Sequence, residues 1–157
     1  MNRTVGIVGL GIMGSAIGRN LVERGWKVVG YDIDAARRAE LALADIAIAS
    51  DVTQVAHEAE IIMTSLPSAD AADDVAHQIA DSGQPARIVV ELSTLTIADK
   101  VRFEQVLKNA GHIALDCPLS GTGAPDPDST MRVFGWYAAL TVLGADLKSN
   151  VTLLPPT

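Results

Sequence analysis

Three glycines near the amino terminus have the spacing that a phosphate-binding turn requires. The run Gly9-Leu10-Gly11-Ile12-Met13-Gly14 follows the apolar stretch Val5–Val8, which is the G-x-G-x-x-G pattern of a strand turning into a helix. In such a turn the first glycine permits the bend, the second lets the backbone approach a pyrophosphate, and the third allows close helix packing. The free amides at the helix start carry the positive end of its dipole. The pattern predicts a dinucleotide site.

An acidic residue follows at the position expected for a ribose contact. Asp32 lies 18 positions after the last glycine of the motif, at the end of the predicted strand Val28–Tyr31, close to the usual spacing of about 20. A carboxylate there accepts hydrogen bonds from the adenosine 2′-hydroxyl and repels a 2′-phosphate. We therefore predict NAD, with NADP disfavoured, since Arg37 and Arg38 lie inside a predicted helix. The alternative is that Asp32, or Asp34, only caps that helix.

Composition restricts the class of fold and of partner. The chain has 157 residues, about one domain, of which 48% are hydrophobic and only 4% aromatic. Its core must consist mostly of Val, Ile, Leu and Ala, which is typical of a parallel sheet covered by helices. A net charge of −7 argues against nucleic acid and against an anionic membrane surface as partners, because both attract basic proteins.

The cysteine count, the length of the apolar runs and the spacing of the histidines limit the disulfides, membrane spans and metal sites that the chain can form. Cys117 is the one cysteine, so no disulfide within the chain can form, and we expect a reducing, cytoplasmic compartment. The longest apolar stretch, Val133–Ala145, is shorter than the roughly 20 residues of a membrane span. His57, His77 and His112 are scattered without metal-ligand spacing, so no metal site is predicted.

Short β-branched runs alternate with segments of helical composition. This alternation predicts right-handed βαβ crossovers, and hence an α/β fold with a Rossmann-type, doubly wound, mostly parallel sheet in a single domain. Residues 1–125 are predicted to form the dinucleotide-binding unit, and residues 126–157 a divergent extension of it. The predicted strands are Val5–Val8, Val28–Tyr31, Ile46–Ile48, Ile61–Ser65, Ile88–Leu92 and Ile113–Leu115; the predicted helices are Met13–Arg24, Ala35–Leu43, Asp51–Ala56, Ala69–Asp81 and Ile97–Ala110.

Four motifs in order make the chain resemble the β-hydroxyacid dehydrogenase family. This family includes 3-hydroxyisobutyrate dehydrogenase and relates to the cofactor domain of 6-phosphogluconate dehydrogenase. The resemblance covers about residues 4–125. Its motifs are the glycine turn with Asn20-Leu21 in its helix, Ser65-Leu66-Pro67, Glu91-Leu92-Ser93-Thr94, and Asp116-Cys117-Pro118-Leu119-Ser120-Gly121.

The resemblance implies cofactor contacts at the ends of two predicted strands. Leu66 and Pro67 would form a wall beside the nicotinamide or its ribose, and Thr94 would contact the nicotinamide ribose. These positions fall at the carboxyl edge of the sheet, where ligands bind in open α/β folds. As alternatives, Pro67 only terminates a strand, and Thr94 only caps the next helix, a task that Ser93 or Thr96 could share.

The resemblance also implies a substrate loop. Ser120, with Gly121, would hold a substrate carboxylate through its hydroxyl and a backbone amide, thereby assisting catalysis. Thr122 belongs to this substrate-binding group but departs from the family's more common glycine. The alternative is an ordinary glycine-rich loop.

The family also has a second, all-helical domain with a catalytic lysine and an asparagine four residues later. Lys148 is the only lysine after Lys108, and Asn150 follows it at two positions, so neither is assigned that role. Two functions remain: an NAD(P)-binding oxidoreductase of the 3-hydroxyacid dehydrogenase type, acting on a small hydroxy carboxylate, or a truncated, catalytically inactive NAD-binding domain.

Two further expectations concern other uses of the fold and assembly. A flavin or methyl-donor enzyme is the third candidate, which the Ser120-Gly121 loop disfavours. The apolar segment Val133–Leu143 would be exposed in the absence of the helical domain, so we expect it to support a homo-oligomer.

Overall fold

Six parallel strands and five helices alternate along the chain in this computed structural model, which describes residues 4–118. The strands are β1 (Thr4–Val8), β2 (Lys27–Tyr31), β3 (Ala47–Ile48), β4 (Ile61–Thr64), β5 (Ile88–Glu91) and β6 (Ile113–Asp116). The helices are α1 (Ile12–Glu23), α2 (Ala35–Ala42), α3 (Val52–Glu58), α4 (Ala69–Ala80) and α5 (Ile97–Asn109).

The sheet has the strand order β3-β2-β1-β4-β5-β6, and every neighbouring pair is parallel. This arrangement is the doubly wound Rossmann order, so the α/β prediction is confirmed. Each predicted element is present within two residues at either end; β3 begins at Ala47 and not at Ile46. The order reverses between β1 and β4, the switch point where such sheets bind ligands beyond their carboxyl ends.

Aliphatic side chains fill both faces of the sheet, as the composition predicts. On one face α3, α4 and α5 pack over a cluster that includes Ile62, Val89 and Phe103. On the other, α1 and α2 pack over a cluster that includes Met63 and Val90. Alternate residues of the same strands therefore face opposite layers, which holds the strand ends in fixed positions.

Four helices begin at a side chain that accepts a hydrogen bond from their first turn. Asp34, Asp51, Ser68 and Thr96 cap α2, α3, α4 and α5 in that way. Among the helices of residues 4–118, α1 alone begins without such a cap, with Gly11 at the capping position. None of these helices is long and apolar enough to cross a membrane.

Candidate functional site

Two glycines of the turn between β1 and α1 are required by the packing of the backbone. Gly9 has φ +92°, and a Cβ atom there would lie 2.1 Å from the carbonyl oxygen of Ser65. A Cβ atom on Gly14 would lie 1.9 Å from the carbonyl oxygen of Gly9. Both distances are far below van der Waals contact, so any side chain would push α1 or the loop after β4 away from β1.

Gly11 differs, because only a flexible side chain lies close to it. A Cβ atom there would approach the Nη1 and Cζ atoms of Arg37, at 2.7 and 3.9 Å. The Arg37 side chain is half exposed, so its end can move, and the rest of the space beside Gly11 is open. No side chain caps the first turn of α1. Amides without a side-chain partner at a helix start fit a pyrophosphate.

Asp32 holds the glycine turn against the end of β2. Its Oδ2 atom accepts a hydrogen bond from the Leu10 amide at 2.7 Å, and its Oδ1 atom accepts one from the Asp34 amide at 2.8 Å. Asp34 is the residue that caps α2, accepting from the Ala36 amide at 2.8 Å. The capping alternative for Asp32 is therefore wrong. Each carboxylate oxygen keeps a lone pair for a further donor.

Two arginines of α2 contact the segment from Asp32 to Asp34 and were given no role by the sequence analysis. Arg38 donates from Nη1 to the carbonyl oxygens of Asp32 and Ile33, at 2.6 and 3.0 Å, and its guanidinium lies 5.8 Å from the centre of the Tyr31 ring. Arg37 lies 3.6 Å from an Asp34 oxygen. Exposed helical arginines carry no sequence signal for such contacts, so only the structure reveals them.

The residues predicted for the nicotinamide side lie at the carboxyl ends of β4 and β5. The Leu66 amide donates to the Ser93 Oγ atom at 2.8 Å, which joins the two loops. Thr94 is exposed, and Thr96 caps α5, so the capping alternative for Thr94 is wrong. Pro67 lies three residues beyond the end of β4 and is therefore not the residue that terminates this strand.

A charged cluster that the sequence analysis missed lies under these two loops. Lys100 of α5 donates from Nζ to Glu91 Oε2, to the Ser93 carbonyl oxygen at 2.6 Å and to Asp116 Oδ1 at 2.7 Å. The Glu91 side chain is 2% exposed and that of Lys100 10%. Burial opposes the charge of Lys100, but the hydrogen bonds and charges of Asp116 and Glu91 outweigh it and raise its pKa.

Two strand ends supply the signal that could have found this cluster. Glu91 and Asp116 are paired in register at the ends of β5 and β6, and two carboxylates side by side call for a cation. Cys117 follows directly and is buried. Burial, with the nearby charge of Asp116, raises the pKa of its thiol.

Several predicted residues lie outside the described part of the chain. Ser120, Gly121 and Thr122 are among them, as are Lys148 and the segment Val133–Leu143. The substrate loop, the extension over residues 126–157 and the proposed oligomer contact therefore remain predictions. The described chain ends at residue 118, two residues before the serine of that loop.

Comparison with known sequences gives one family. The model of the NAD binding domain of 6-phosphogluconate dehydrogenase matches residues 4–134. A probable 3-hydroxyisobutyrate dehydrogenase of Mycobacterium tuberculosis is 26% identical over 118 residues, which are 75% of this chain and 40% of the relative. The mitochondrial 3-hydroxyisobutyrate dehydrogenase of Mus musculus is 29% identical over 74% of this chain and 36% of its own length. The chain thus spans about two fifths of these relatives.

Solved structures agree with this assignment. The 3-hydroxyisobutyrate dehydrogenase of Mycobacterium tuberculosis, solved with L-serine, has a TM-score of 0.75 and 26% identity over 78% of this chain and 42% of its own. An imine reductase variant of Myxococcus stipitatus in complex with NAD+ shares the fold, with a TM-score of 0.72, at 22% identity over 78% of this chain and 43% of its own. The match of the family model over residues 4–134, on a sheet of this order, places the chain in the family of the NAD-binding domain of 6-phosphogluconate dehydrogenase.

Proposed function

We propose that the chain binds NAD across the carboxyl edge of its sheet, with the pyrophosphate on Gly9-Leu10-Gly11-Ile12-Met13-Gly14 and the adenosine ribose at Asp32. The observation that carries this proposal is the contrast among the glycines. Gly9 and Gly14 are packed against backbone atoms, whereas Gly11 meets only the movable end of the Arg37 side chain, beside an uncapped helix start. A glycine that the protein's own packing does not require is explained by the close approach of a ligand.

The electrostatics around Asp32 favour NAD over NADP. Its carboxylate is fixed by the amides of Leu10 and Asp34, so it cannot easily turn away from a 2′-phosphate. Arg38 is engaged with main-chain carbonyl oxygens. Two like charges about 4 Å apart repel by about 1 kcal/mol in water and about 4 kcal/mol at an effective dielectric of 20. We therefore expect NADH to bind about five- to 700-fold more tightly than NADPH.

The proposed activity is hydride transfer between the nicotinamide cofactor and a small hydroxy carboxylate. The names of the relatives support this class, and so does the L-serine bound by one of them, which is itself a 3-hydroxy carboxylate. The cofactor supplies the hydride chemistry. Leu66, Pro67 and Thr94 would line its nicotinamide end, and Ser120 with Gly121 would bind the substrate carboxylate.

Cofactor binding without turnover is the second candidate function. No lysine with an asparagine four residues later follows Ser120 in this sequence, so the proton donor expected by family resemblance is not identified. A panel of small hydroxy acids, assayed for NADH formation, separates the two candidates. Turnover of a 3-hydroxy acid supports the dehydrogenase, and tight NADH binding with no turnover supports the binding domain.

Calorimetric titration with NADH and with NADPH tests the cofactor assignment. Asp32→Asn removes the negative charge and leaves one oxygen as an acceptor for the amides of Leu10 and Asp34. We therefore expect weaker NADH binding and a smaller preference for NADH over NADPH. Asp81→Asn makes the same change at an exposed residue after α4 and should alter neither. A folded wild-type protein that binds neither coenzyme would refute the proposal, and an unchanged preference in Asp32→Asn would remove Asp32 from the ribose site.

A further inference from the structure

Lys100 connects three chain segments at the side of the sheet assigned to the nicotinamide. We propose that Lys100, acting through Glu91 and Ser93, is a positioning residue that holds these segments in the arrangement that binds the nicotinamide half of the dinucleotide. This inference rests on the proposed function. No sequence motif of the chain includes Lys100, and its role follows from the contacts alone.

The three hydrogen bonds of the Lys100 ammonium group reach three different places. They end on the Glu91 carboxylate at the end of β5, on the Ser93 carbonyl oxygen in the loop after it, and on the Asp116 carboxylate at the end of β6. An ammonium group has three donors, so all of them are used. The position of the Nζ atom is therefore determined from three directions, and it in turn fixes both strand ends.

The network continues from Glu91 to the loop after β4. The Ser93 amide donates to Glu91 Oε1 at 2.9 Å, and the Leu66 amide donates to the Ser93 Oγ atom at 2.8 Å. Through these bonds the position of Lys100 is linked to the backbone of Leu66, beside Pro67. Thr94 follows Ser93 directly, so its backbone is held by the same contacts. The residues proposed for the nicotinamide end are thus anchored to a single buried ion pair.

The same network includes the stem of the predicted substrate loop. Asp116 accepts from Lys100, and the Cys117 amide donates to the Glu91 carbonyl oxygen at 2.9 Å. These two residues begin the segment that leads to Ser120. Lys100 therefore also holds the end of β6, the last strand before the predicted substrate loop.

Burial makes the arrangement sensitive to loss of the cation. The Glu91 side chain is 2% exposed, and a buried carboxylate without its partner is strongly disfavoured. Removal of the ammonium group would leave this carboxylate without its cation, so the Glu91 side chain would move toward water. That movement alters the acceptor of the Ser93 amide, and with it the loop that carries Thr94.

Distance across the sheet provides a way to test positioning separately from stability. Asp32 follows β2, whereas Glu91 ends β5, three strands away in the order β2-β1-β4-β5. Three strand spacings are about 14 Å. The adenosine half of the ligand, held by the glycine turn and Asp32, should therefore not depend on Lys100. ADP carries that half and lacks both the nicotinamide and the ribose proposed to lie at Thr94, so it serves as the reference ligand.

The experiment compares NADH and ADP on the whole chain by calorimetry, together with the fluorescence of bound NADH. For Lys100→Met we expect at least tenfold weaker NADH binding, ADP binding within twofold of wild type, and loss of the fluorescence enhancement of the nicotinamide. Lys100→Arg keeps a charged donor and should restore part of the NADH affinity. Arg102→Met, in the same helix at an exposed ion pair, should change neither ligand.

Asp116→Asn supplies a second variant should Lys100→Met fail to fold. Asp116 is 57% exposed in its side chain, and this change weakens one of the three contacts while the Lys100–Glu91 pair remains. We expect a smaller loss of NADH affinity, again with ADP binding unchanged. Equal losses for both ligands would show a general structural role and overturn the proposal, as would unchanged NADH binding. Wild-type protein that binds neither ligand overturns the proposed function together with this inference.

Discussion

The glycine turn separates a residue needed for the fold from a residue needed for the ligand. We predict that Gly11→Ala leaves the protein folded and weakens NADH binding, whereas Gly14→Ala destabilises the fold itself. The added methyl group is the same in both variants. It would lie 2.7 Å from the end of a flexible arginine at Gly11, and 1.9 Å from a backbone carbonyl oxygen at Gly14.

The expected effect on stability follows from these contacts. Gly11 has φ −67° and ψ −166°, a conformation open to alanine. The less favourable helix cap costs up to about 1 kcal/mol, partly offset by about 0.4–1 kcal/mol through the less flexible unfolded chain. Gly14→Ala forces a shift of α1 against the turn, at a cost of about 3 kcal/mol. For a chain of this length that lowers the Tm by about 10 °C.

The expected effect on binding follows from where the new methyl group stands. At residue 11 it would occupy the open side of the turn, where the proposed pyrophosphate approaches the backbone. A steric conflict of about 1–3 kcal/mol corresponds to a loss of about five- to 150-fold in NADH affinity. The double variant Gly11→Ala/Arg37→Ala removes the one protein atom that the methyl group meets, and it should bind NADH no better than Gly11→Ala.

Urea unfolding of each variant tests the predicted stabilities, and NADH titration of the same preparations tests the predicted affinities. Arg37→Ala alone is the reference for the double variant. Wild-type NADH affinity in Gly11→Ala would refute the reasoning, because the pyrophosphate could not then lie against Gly11. Equal destabilisation by Gly11→Ala and Gly14→Ala would also refute it, since the two sites would then share one packing role.

Three further predictions concern stability. His112→Ala leaves the buried Arg87 amide without the Nδ1 atom that accepts from it at 3.1 Å, and should lower the free energy of unfolding by about 1–3 kcal/mol in urea. Phe103→Ala removes the side chain of a core residue that is 1% exposed, and should lower the free energy of unfolding by about 3–5 kcal/mol. The pKa of Lys100 is higher in the folded protein than its ordinary value of 10.5, so the protonated side chain stabilises the fold at pH values below 10.5. This contribution disappears as the pH rises through the folded-state pKa. The urea midpoint of the wild type should therefore fall more steeply above pH 10.5 than that of Lys100→Met.

Exposed residues supply the controls for these three predictions. His57→Ala and Val101→Ala change exposed side chains, and each should alter the free energy of unfolding by no more than about 0.5 kcal/mol. A His112→Ala variant as stable as His57→Ala would mean that the Arg87 amide finds another acceptor. Parallel alkaline curves for wild type and Lys100→Met would remove the Lys100 charge from the stability of the fold.

The elements were predictable because local signals and the buried pattern agree along most of the chain. Short β-branched runs marked the strands, and three of the predicted helices begin where the structure shows Asp51, Ser68 and Thr96 as caps. β3 was predicted one residue too long. Ile46 is buried and apolar like a strand residue, but only the next two residues pair with β2. Strand ends are set by hydrogen bonds to a neighbour, and a single segment of sequence does not contain that neighbour.

The glycine turn was predictable in type, and its tertiary contacts were not. The spacing of Gly9, Gly11 and Gly14 predicted a turn from strand to helix, which the structure confirms. Gly9 packs against Ser65, and the Asp32 carboxylate accepts from the Leu10 amide. Both contacts depend on the order of β2, β1 and β4 in the sheet. Contacts across 22 or more residues need the sheet order first, and local spacing carries no information about it.

The Lys100 cluster was predictable in part, because the sequence indicates the buried position of the lysine but not its partners. Phe103 and Leu107 mark the buried face of α5, and Lys100 lies three and seven residues before them, on the same face of a helix with 3.6 residues per turn. A lysine on an apolar face requires a buried partner. Its partners depend on tertiary register, which sets Glu91 beside Asp116. The periodicity of α5 thus predicts a buried cation near the sheet, and the pairing of β5 with β6 supplies the two carboxylates that make its burial stable.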